Sequence, residues 1–240
     1  MSQKKGFVYP KSDPTAAAKT AALNVAWYYN WDHVPTPGMA STIPYTPMSW
    51  SQTTADNNTI MTTLDTKDPK QVILGFNEPD SPQQSNMTVQ LAAQLWPALV
   101  NTGRRIGSPA TAGNATTPGS WFDQFMQSTP TPKVDFIAIH WYAAPNPASL
   151  LNIVDTLHTK YNAPIWITEF AVADWKTPNK YTMDQVITFM KTVISELEQR
   201  SYVERYCWKT RTLEDPNMGS SSIFNDDGTL TALGQVYAAF

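Results

Sequence analysis

Val72-Ile-Leu-Gly-Phe-Asn-Glu-Pro-Asp80 is the stretch on which the fold turns. Its first half is a short apolar run, the composition of a strand covered on both faces. Its second half sets an amide, Asn77, beside a carboxylate, Glu78, and Pro79 then ends regular pairing because it has no N–H to give. A buried strand that carries polar groups at its C-terminal end suits a (β/α)₈ barrel, whose strand ends line the mouth. A second stretch, Ile165-Trp-Ile-Thr-Glu-Phe170, repeats the pattern and delivers Glu169.

Outward from these two, strand and helix patterns alternate along most of the chain, the signature of parallel βα units. Further strands are expected at Lys5–Tyr9, Asn24–Trp31, Ile43–Met48, Arg105–Pro109, Val134–Tyr142 and Val203–Lys209. The strands bearing Glu78 and Glu169 are then the fourth and seventh of eight. Asp13 reads as the cap of a first helix with Pro14 at its first position. Asp32–Thr42 is rich in Pro and Gly and has no helical period, so a helix is expected to be missing there. A weak helix is expected around Thr53–Leu64, carried by Ile60, Met61 and Leu64.

Stronger helices follow: Thr88 to about Val100, one from Ser120 with Trp121, Phe122, Phe125 and Met126 inward, and one through Leu150, Ile153, Val154 and Leu157. Thr182 and Gln185 have capping-box spacing ahead of a stripe at Val186, Phe189, Met190, Val193, Ile194 and Leu197. Asp227-Gly228 makes a turn before a last helix, Leu230–Phe240. The expected class is α/β, a single domain over 1–240: a (β/α)₈ TIM barrel with some helices short or missing.

At 240 residues the chain has the size of one such barrel. A net charge of −3 offers no basic face for nucleic acid, and no apolar run approaches a membrane span. Cys207 is the only cysteine, so no internal disulfide can form; it reads as a buried core residue. His33, His140 and His158 lack metal-ligand spacing, no Gly-rich phosphate loop follows a strand, and there is no G-x-S-x-G. No metal, no cofactor and no serine nucleophile are expected, and the chain is expected to be a monomer.

Two acids on strand ends facing each other across a barrel mouth are the equipment for cleaving a glycosidic bond. A carboxyl separation of about 5–5.5 Å gives retention, and roughly 6.5–9.5 Å gives inversion. Asn77 is placed to hydrogen-bond a sugar hydroxyl beside the reacting centre. His140 and Tyr142 are two residues apart on one strand and share a face. If that face is inward, Tyr142 holds Glu169 ionised and His140 orients either acid. Trp208, near the end of the eighth strand, is expected to form a platform under the attacked sugar. Trp31, Trp50 and Trp141 also lie at strand ends, whereas Trp27, Trp96 and Trp121 read as core or helix packing.

Gly75-Phe-Asn-Glu-Pro79, Val134-Asp-Phe-Ile-Ala-Ile-His-Trp-Tyr142 and Ile165-Trp-Ile-Thr-Glu-Phe-Ala171 together resemble glycoside hydrolase family 128, the β-1,3-glucanases of a retaining-barrel clan. Tyr29-Asn-Trp31, Gly107-Ser-Pro109, Trp121-Phe-Asp-Gln-Phe125 and Arg205-Tyr-Cys-Trp208 extend the likeness over nearly the whole chain. The resemblance implies that Glu78 is the general acid/base, that Glu169 is the nucleophile, and that configuration is retained. It implies β-1,3-glucan of the fungal-wall or storage type as substrate. It places Asn77, His140, Tyr142 and Trp208 around the attacked sugar; Trp31 and Trp50 are put in the groove by their position alone.

The expected activity is that of an endo-β-1,3-glucanase. Two rivals stay open: a glucan- or oligosaccharide-binding protein that has lost catalysis, and a barrel glycosidase of another β-linkage. Residues Ser81–Met87, Thr111–Gly119, Val172–Tyr181 and Thr210–Ser222 are the loops expected to decide how open the groove is. The expected location is secreted or at the cell wall, although Met1–Gly6 carries no signal-peptide core and the sequons at Asn57, Asn86 and Asn114 do not decide it.

Overall fold

Residues 2–40, 42–56 and 71–240 are described by the computed structural model. Seven strands are formed among them: β1 (Lys5–Val8), β2 (Trp27–Tyr29), β3 (Val72–Ile73), β4 (Arg105–Ile106), β5 (Ile137–Ala143), β6 (Ile165–Val172) and β7 (Val203–Trp208). Five of them make a parallel sheet in the order β2-β1-β7-β6-β5, and β3 pairs with β4, also in parallel. The two ladders do not close into one continuous barrel. Single parallel bridges carry the order between them: Tyr28 with Tyr45, Met48 with Leu74, Asn77 with Ala110, and Gly107 with Phe136.

The weakest part of this TIM-barrel-like ring has a local cause. The expected third strand, Ile43–Met48, survives only as the bridge residues Tyr45 and Met48. Pro44 and Pro47 interrupt it, because neither has an N–H to donate. Each still accepts through its carbonyl, from Tyr28 N at 3.0 Å and Leu74 N at 2.9 Å respectively. Gly75 serves the neighbouring junction: a Cβ there would lie 2.7 Å from the Gly107 carbonyl oxygen, so only glycine permits this approach of the two backbones.

The helices are α1 (Ala16–Leu23), α2 (Gln52–Asp56), α3 (Val89–Val100), α4 (Trp121–Met126), α5 (Pro147–Tyr161), α6 (Met183–Gln199) and α7 (Ala232–Ala239). The first begins later than the Asp13-Pro14 signal suggests. Asp13 instead binds the Thr15 N–H at 2.8 Å in the turn before the helix, and Thr15 is the cap residue. No helix forms across 32–40, as the Pro/Gly content there indicates. Of the weak helix around Thr53–Leu64 only α2 is seen; residues 57–70 lie outside the described residues.

Thr88, Ser120 and Thr231 cap their helices through side-chain oxygens, and Thr182 with Gln185 forms both bonds of the capping box on α6. The six apolar stripe residues of α6 are fully buried. At about 1.5–3 kcal/mol for each such side chain, this burial is what fixes the helix to the sheet. No helix among the described residues is long and apolar enough to cross a membrane.

Alternation along the strands separates two apolar layers. Phe7, Tyr28, Ile165, Ile167, Phe170, Tyr206 and Trp208 point outward into the layer shared with α5, α6 and α7. Val8, Trp27, Tyr29, Ala138, Trp166 and Cys207 point inward and fill the ring. The inner layer is the floor on which the polar strand ends stand.

Candidate active site

Glu169 reaches the mouth through a bulge. Ile139 of β5 pairs with Ile167 of β6, but the next residue, His140, pairs with Glu169, so Thr168 is an extra residue on β6. With Trp166 inward, strict alternation would turn Thr168 in and Glu169 out among the helices. The extra residue reverses this. Thr168 stays buried, its hydroxyl on the Ile139 carbonyl at 3.3 Å, and Glu169 faces the open end.

Glu78 is aimed by a different device. Its N–H donates to the Ala110 carbonyl at 2.7 Å, and its φ is +43°, in the left-handed region. Trp31, at φ +58°, shares that conformation. Among the described residues the other non-glycine residues with positive φ are asparagines, which tolerate it. Glu78 and Trp31, which carry the strain, border the same groove.

His140 stands between the two acids. Its Nδ1 lies 2.7 Å from Glu78 Oε1 and its Nε2 3.5 Å from Glu169 Oε1. One oxygen of each carboxylate and one ring nitrogen all lie within 4.8 Å of one another. Glu169 Oε1 accepts from Trp31 Nε1 at 2.7 Å and lies 3.3 Å from the Tyr29 hydroxyl, which also reaches the Thr168 carbonyl at 3.0 Å. Glu169 Oε2 accepts from the Tyr142 hydroxyl.

These contacts decide charge. Burial alone would raise the Glu169 carboxyl, but the nearby cations of His140 and Lys209 and the Tyr142 and Trp31 donors outweigh it and hold it below the usual carboxylate range. Burial would likewise lower His140, yet the Glu169 and Glu78 carboxylates together raise it. Burial and the Glu169 charge push the Tyr142 phenol well up, so it stays a donor.

The open end is a cavity of about 700 Å³ bordered by Trp31, Trp50, Asn77, Glu78, Tyr142 and Glu169. All four loops singled out in the sequence contribute to its rim: Ser81, Gln83 and Gln84; Ala112; Trp175; Arg211 and Met218. Asn77 is buried, gives an amide hydrogen to Gln84 Oε1 at 3.3 Å, and keeps Oδ1 without a hydrogen-bond partner among the described residues.

Trp208 does not border this cavity, and the platform expected of it is not made by this residue. It is fully buried on the outer face, edge-on to Phe170 at 5.0 Å, with its Nε1–H on the Ser221 carbonyl at 2.9 Å. The reason is alternation: Cys207 points inward, so Trp208 points outward and Lys209 inward. Trp141 is also core, stacked on Phe189 at 5.2 Å. Sequence reasoning gave no site role to Lys209 and Trp175, which border the groove, or to Tyr29, which is fully buried and reaches Glu169. Lys209 follows Trp208 directly, Tyr29 lies two residues before Trp31, and Trp175 sits in a loop, 60% exposed, where a large apolar side chain is itself a signal.

Residues 6–237 match the family model for the glycosyl hydrolase catalytic core. Among curated proteins, alkali-sensitive linkage protein 1 of Schizosaccharomyces pombe is 27% identical over 244 residues that cover 99% of this chain. The chain spans 44% of that protein's length. A family 128 (subgroup I) endo-β-1,3-glucanase from Amycolatopsis mediterranei, solved with laminaritriose, is 29% identical with a TM-score of 0.86 and covers 99% of both chains. A subgroup II endo-β-1,3-glucanase from Sorangium cellulosum is 27% identical with a TM-score of 0.79 and covers 98% of both. The likeness to family 128 read from the motifs and the barrel-like α/β fold both stand.

Proposed function

The chain belongs to the glycosyl hydrolase catalytic-core family, and on that premise we propose that it is an endo-acting β-1,3-glucanase working with retention of configuration. The observation that carries this reading is the acid pair: two carboxylates brought from separate stretches of the chain, with oxygens within 4.8 Å of each other, bordering a groove walled by Trp31, Trp50 and Trp175. That closeness is nearer the retaining spacing of about 5–5.5 Å than the roughly 6.5–9.5 Å of inversion. The solved relatives named above support the choice of linkage, since one of them holds a laminari-oligosaccharide.

Glu169 is the nucleophile. It is the acid held ionised, and its donors fix the carboxylate while it waits. Glu78 is the general acid and then the general base. It is the more exposed of the two acids and lies 2.7 Å from His140 Nδ1, which leaves it the proton-transfer role. As Glu169 attacks the anomeric carbon, Glu78 gives its proton to the departing oxygen. It then takes a proton from the water that frees the glycosyl-enzyme. Asn77 Oδ1 offers an acceptor to a hydroxyl of the attacked sugar. The place of action is proposed to be outside the cell or in a wall, where such glucans lie.

Incubation with laminarin and with short β-1,3-linked oligosaccharides, with products resolved by size and anomer followed by proton NMR, tests this. Mid-sized products early in the time course and a β-anomer formed first are expected. Binding of laminarin without release of reducing ends would refute catalysis. Cleavage of only β-1,4-linked substrates would refute the linkage.

A further inference from the structure

Lys209 enters neither the acid pair nor its direct hydrogen bonds, yet the sheet delivers it to the same cavity. Its N–H donates to the Phe170 carbonyl at 2.9 Å, which fixes it beside the residue that follows Glu169. Its ammonium lies 3.8 Å from the centre of the Trp31 ring. Among the described residues no hydrogen-bond or ion-pair acceptor holds that ammonium, so the indole face is its closest stabilising contact. Trp31 is in turn the residue whose Nε1–H sits 2.7 Å from Glu169 Oε1. Its backbone is in the left-handed region, which does not by itself favour this placement of a bulky ring. The ring also meets Tyr29 edge-on, with centroids 5.8 Å apart.

We propose that Lys209 is a positioning residue for the nucleophile, clamping the Trp31 indole so that its N–H stays on Glu169 through the reaction. The proposal rests on the reading of Glu169 as nucleophile. The mechanical link is Lys209 to Trp31 to Glu169. An electrostatic one runs beside it, because the ammonium faces the Glu169 and Glu78 carboxylates from the residue after β7, with Arg211 and the Cys207 thiol as its other titratable neighbours. Glu169 itself is faced by Lys209, His140, Tyr142, Tyr29, Glu78 and Cys207. Among these, Lys209 and a protonated His140 are the cations. Loss of Lys209 therefore removes a positive charge that favours the ionised nucleophile and also frees the donor that orients it.

The test is a pH profile of laminarin hydrolysis for Lys209→Met and Lys209→Arg, each made in the wild type and in Trp31→Phe. Trp31→Phe keeps a ring for the ammonium and removes the N–H. Lys209→Met is expected to lower kcat about tenfold and leave KM within about twofold, since the group acts on the nucleophile and not on the glucan. Its acid limb is expected to move up by about one pH unit. Lys209→Arg should recover most of the rate because it restores a cation over the ring. In the Trp31→Phe background the Lys209→Met loss should shrink to less than about threefold, the non-additivity of residues acting as one unit.

An unmoved acid limb with unchanged kcat in Lys209→Met overturns the proposal, and so does an equal loss in both backgrounds. Near-UV circular dichroism establishes folding; should Lys209→Met not fold, Lys209→Gln is the neutral variant to read. A wild type inert on laminarin refutes the assigned function and this inference together. An active wild type with an indifferent Lys209 refutes this inference alone.

Discussion

Replacing Tyr142 by Phe deletes one hydroxyl and keeps the ring, including its edge-on contact with Trp175 at 6.3 Å. What disappears is the donor to Glu169 Oε2; Oε1 keeps Trp31 at 2.7 Å and Tyr29 at 3.3 Å. A hydrogen bond to a charged group contributes about 1.5–3 kcal/mol. One pKa unit corresponds to about 1.36 kcal/mol, so the Glu169 carboxyl should rise by about one to two units. In the native wild type this carboxyl lies below its ordinary value. It therefore stabilises the fold above the unfolded-state pKa, and that contribution is lost as pH falls through the native one. The variant should be less stable than the wild type by about 1.5–3 kcal/mol near neutral pH, with the gap closing as the carboxyl protonates. Urea unfolding over a pH series reads this, and the acid limb of kcat/KM should move up by the same one to two units, about ten- to a hundredfold in rate below the limb. A stability gap equally large at about pH 3 and about pH 7 would refute the reasoning, because it would mean the hydroxyl does not act through the ionised form.

Glu169→Gln and Glu78→Gln should each reduce turnover by more than about a thousandfold while laminari-oligosaccharide binding by calorimetry stays largely intact; wild-type turnover in either would remove that residue from its role. Trp175→Ala should weaken oligosaccharide binding by about 1 kcal/mol without moving the melting temperature, since the side chain is 60% exposed and touches the groove rather than the core. A stability loss in place of a binding loss would assign that tryptophan to packing. Thr182→Ala breaks the capping box of α6 and should cost about 1 kcal/mol, or about 2–4 °C in Tm, with turnover unchanged.

The apolar runs around Asn77-Glu78 and Glu169 were readable because a strand covered on both faces needs nearly continuous hydrophobic sequence, and each carboxylate interrupts or ends such a run. The stripe and cap of α6 were readable for an equally local reason, the 3.6-residue period. What escaped depends on neighbours in space. Nothing in Trp-Ile-Thr-Glu announces that Thr168 is an extra residue, since the bulge exists only relative to the partner strand. The same parity problem sent Trp208 to the wrong face. Position near a strand end was visible; which of Trp208 and Lys209 looks inward is set by Cys207 packing against Trp27 and Trp166 inside the ring. The apolar content of Ile43–Met48 suggested a strand, and the two prolines within it left only bridges. Tyr29 needed the bulge before its hydroxyl could be placed near Glu169.

The two acids are chemically alike and are made unlike by where the chain leaves them. Glu169 lies within a strand, its side chain 6% exposed, and receives three oxygen- and nitrogen-borne donors over its two oxygens. Glu78 lies just past a strand, in a left-handed turn, with its side chain 13% exposed and the His140 ring as its hydrogen-bond partner. His140 ties the pair into one proton inventory. Its Nδ1 lies 2.7 Å from Glu78 Oε1 and its Nε2 3.5 Å from Glu169 Oε1, and the two carboxylates favour the protonated ring. In the proposed cycle the same Nδ1 faces Glu78 both before and after that acid gives up its proton. If Glu78 acts as proposed, the imidazole supports it through its acid and base turns without changing place, which is what a residue acting twice in one cycle needs.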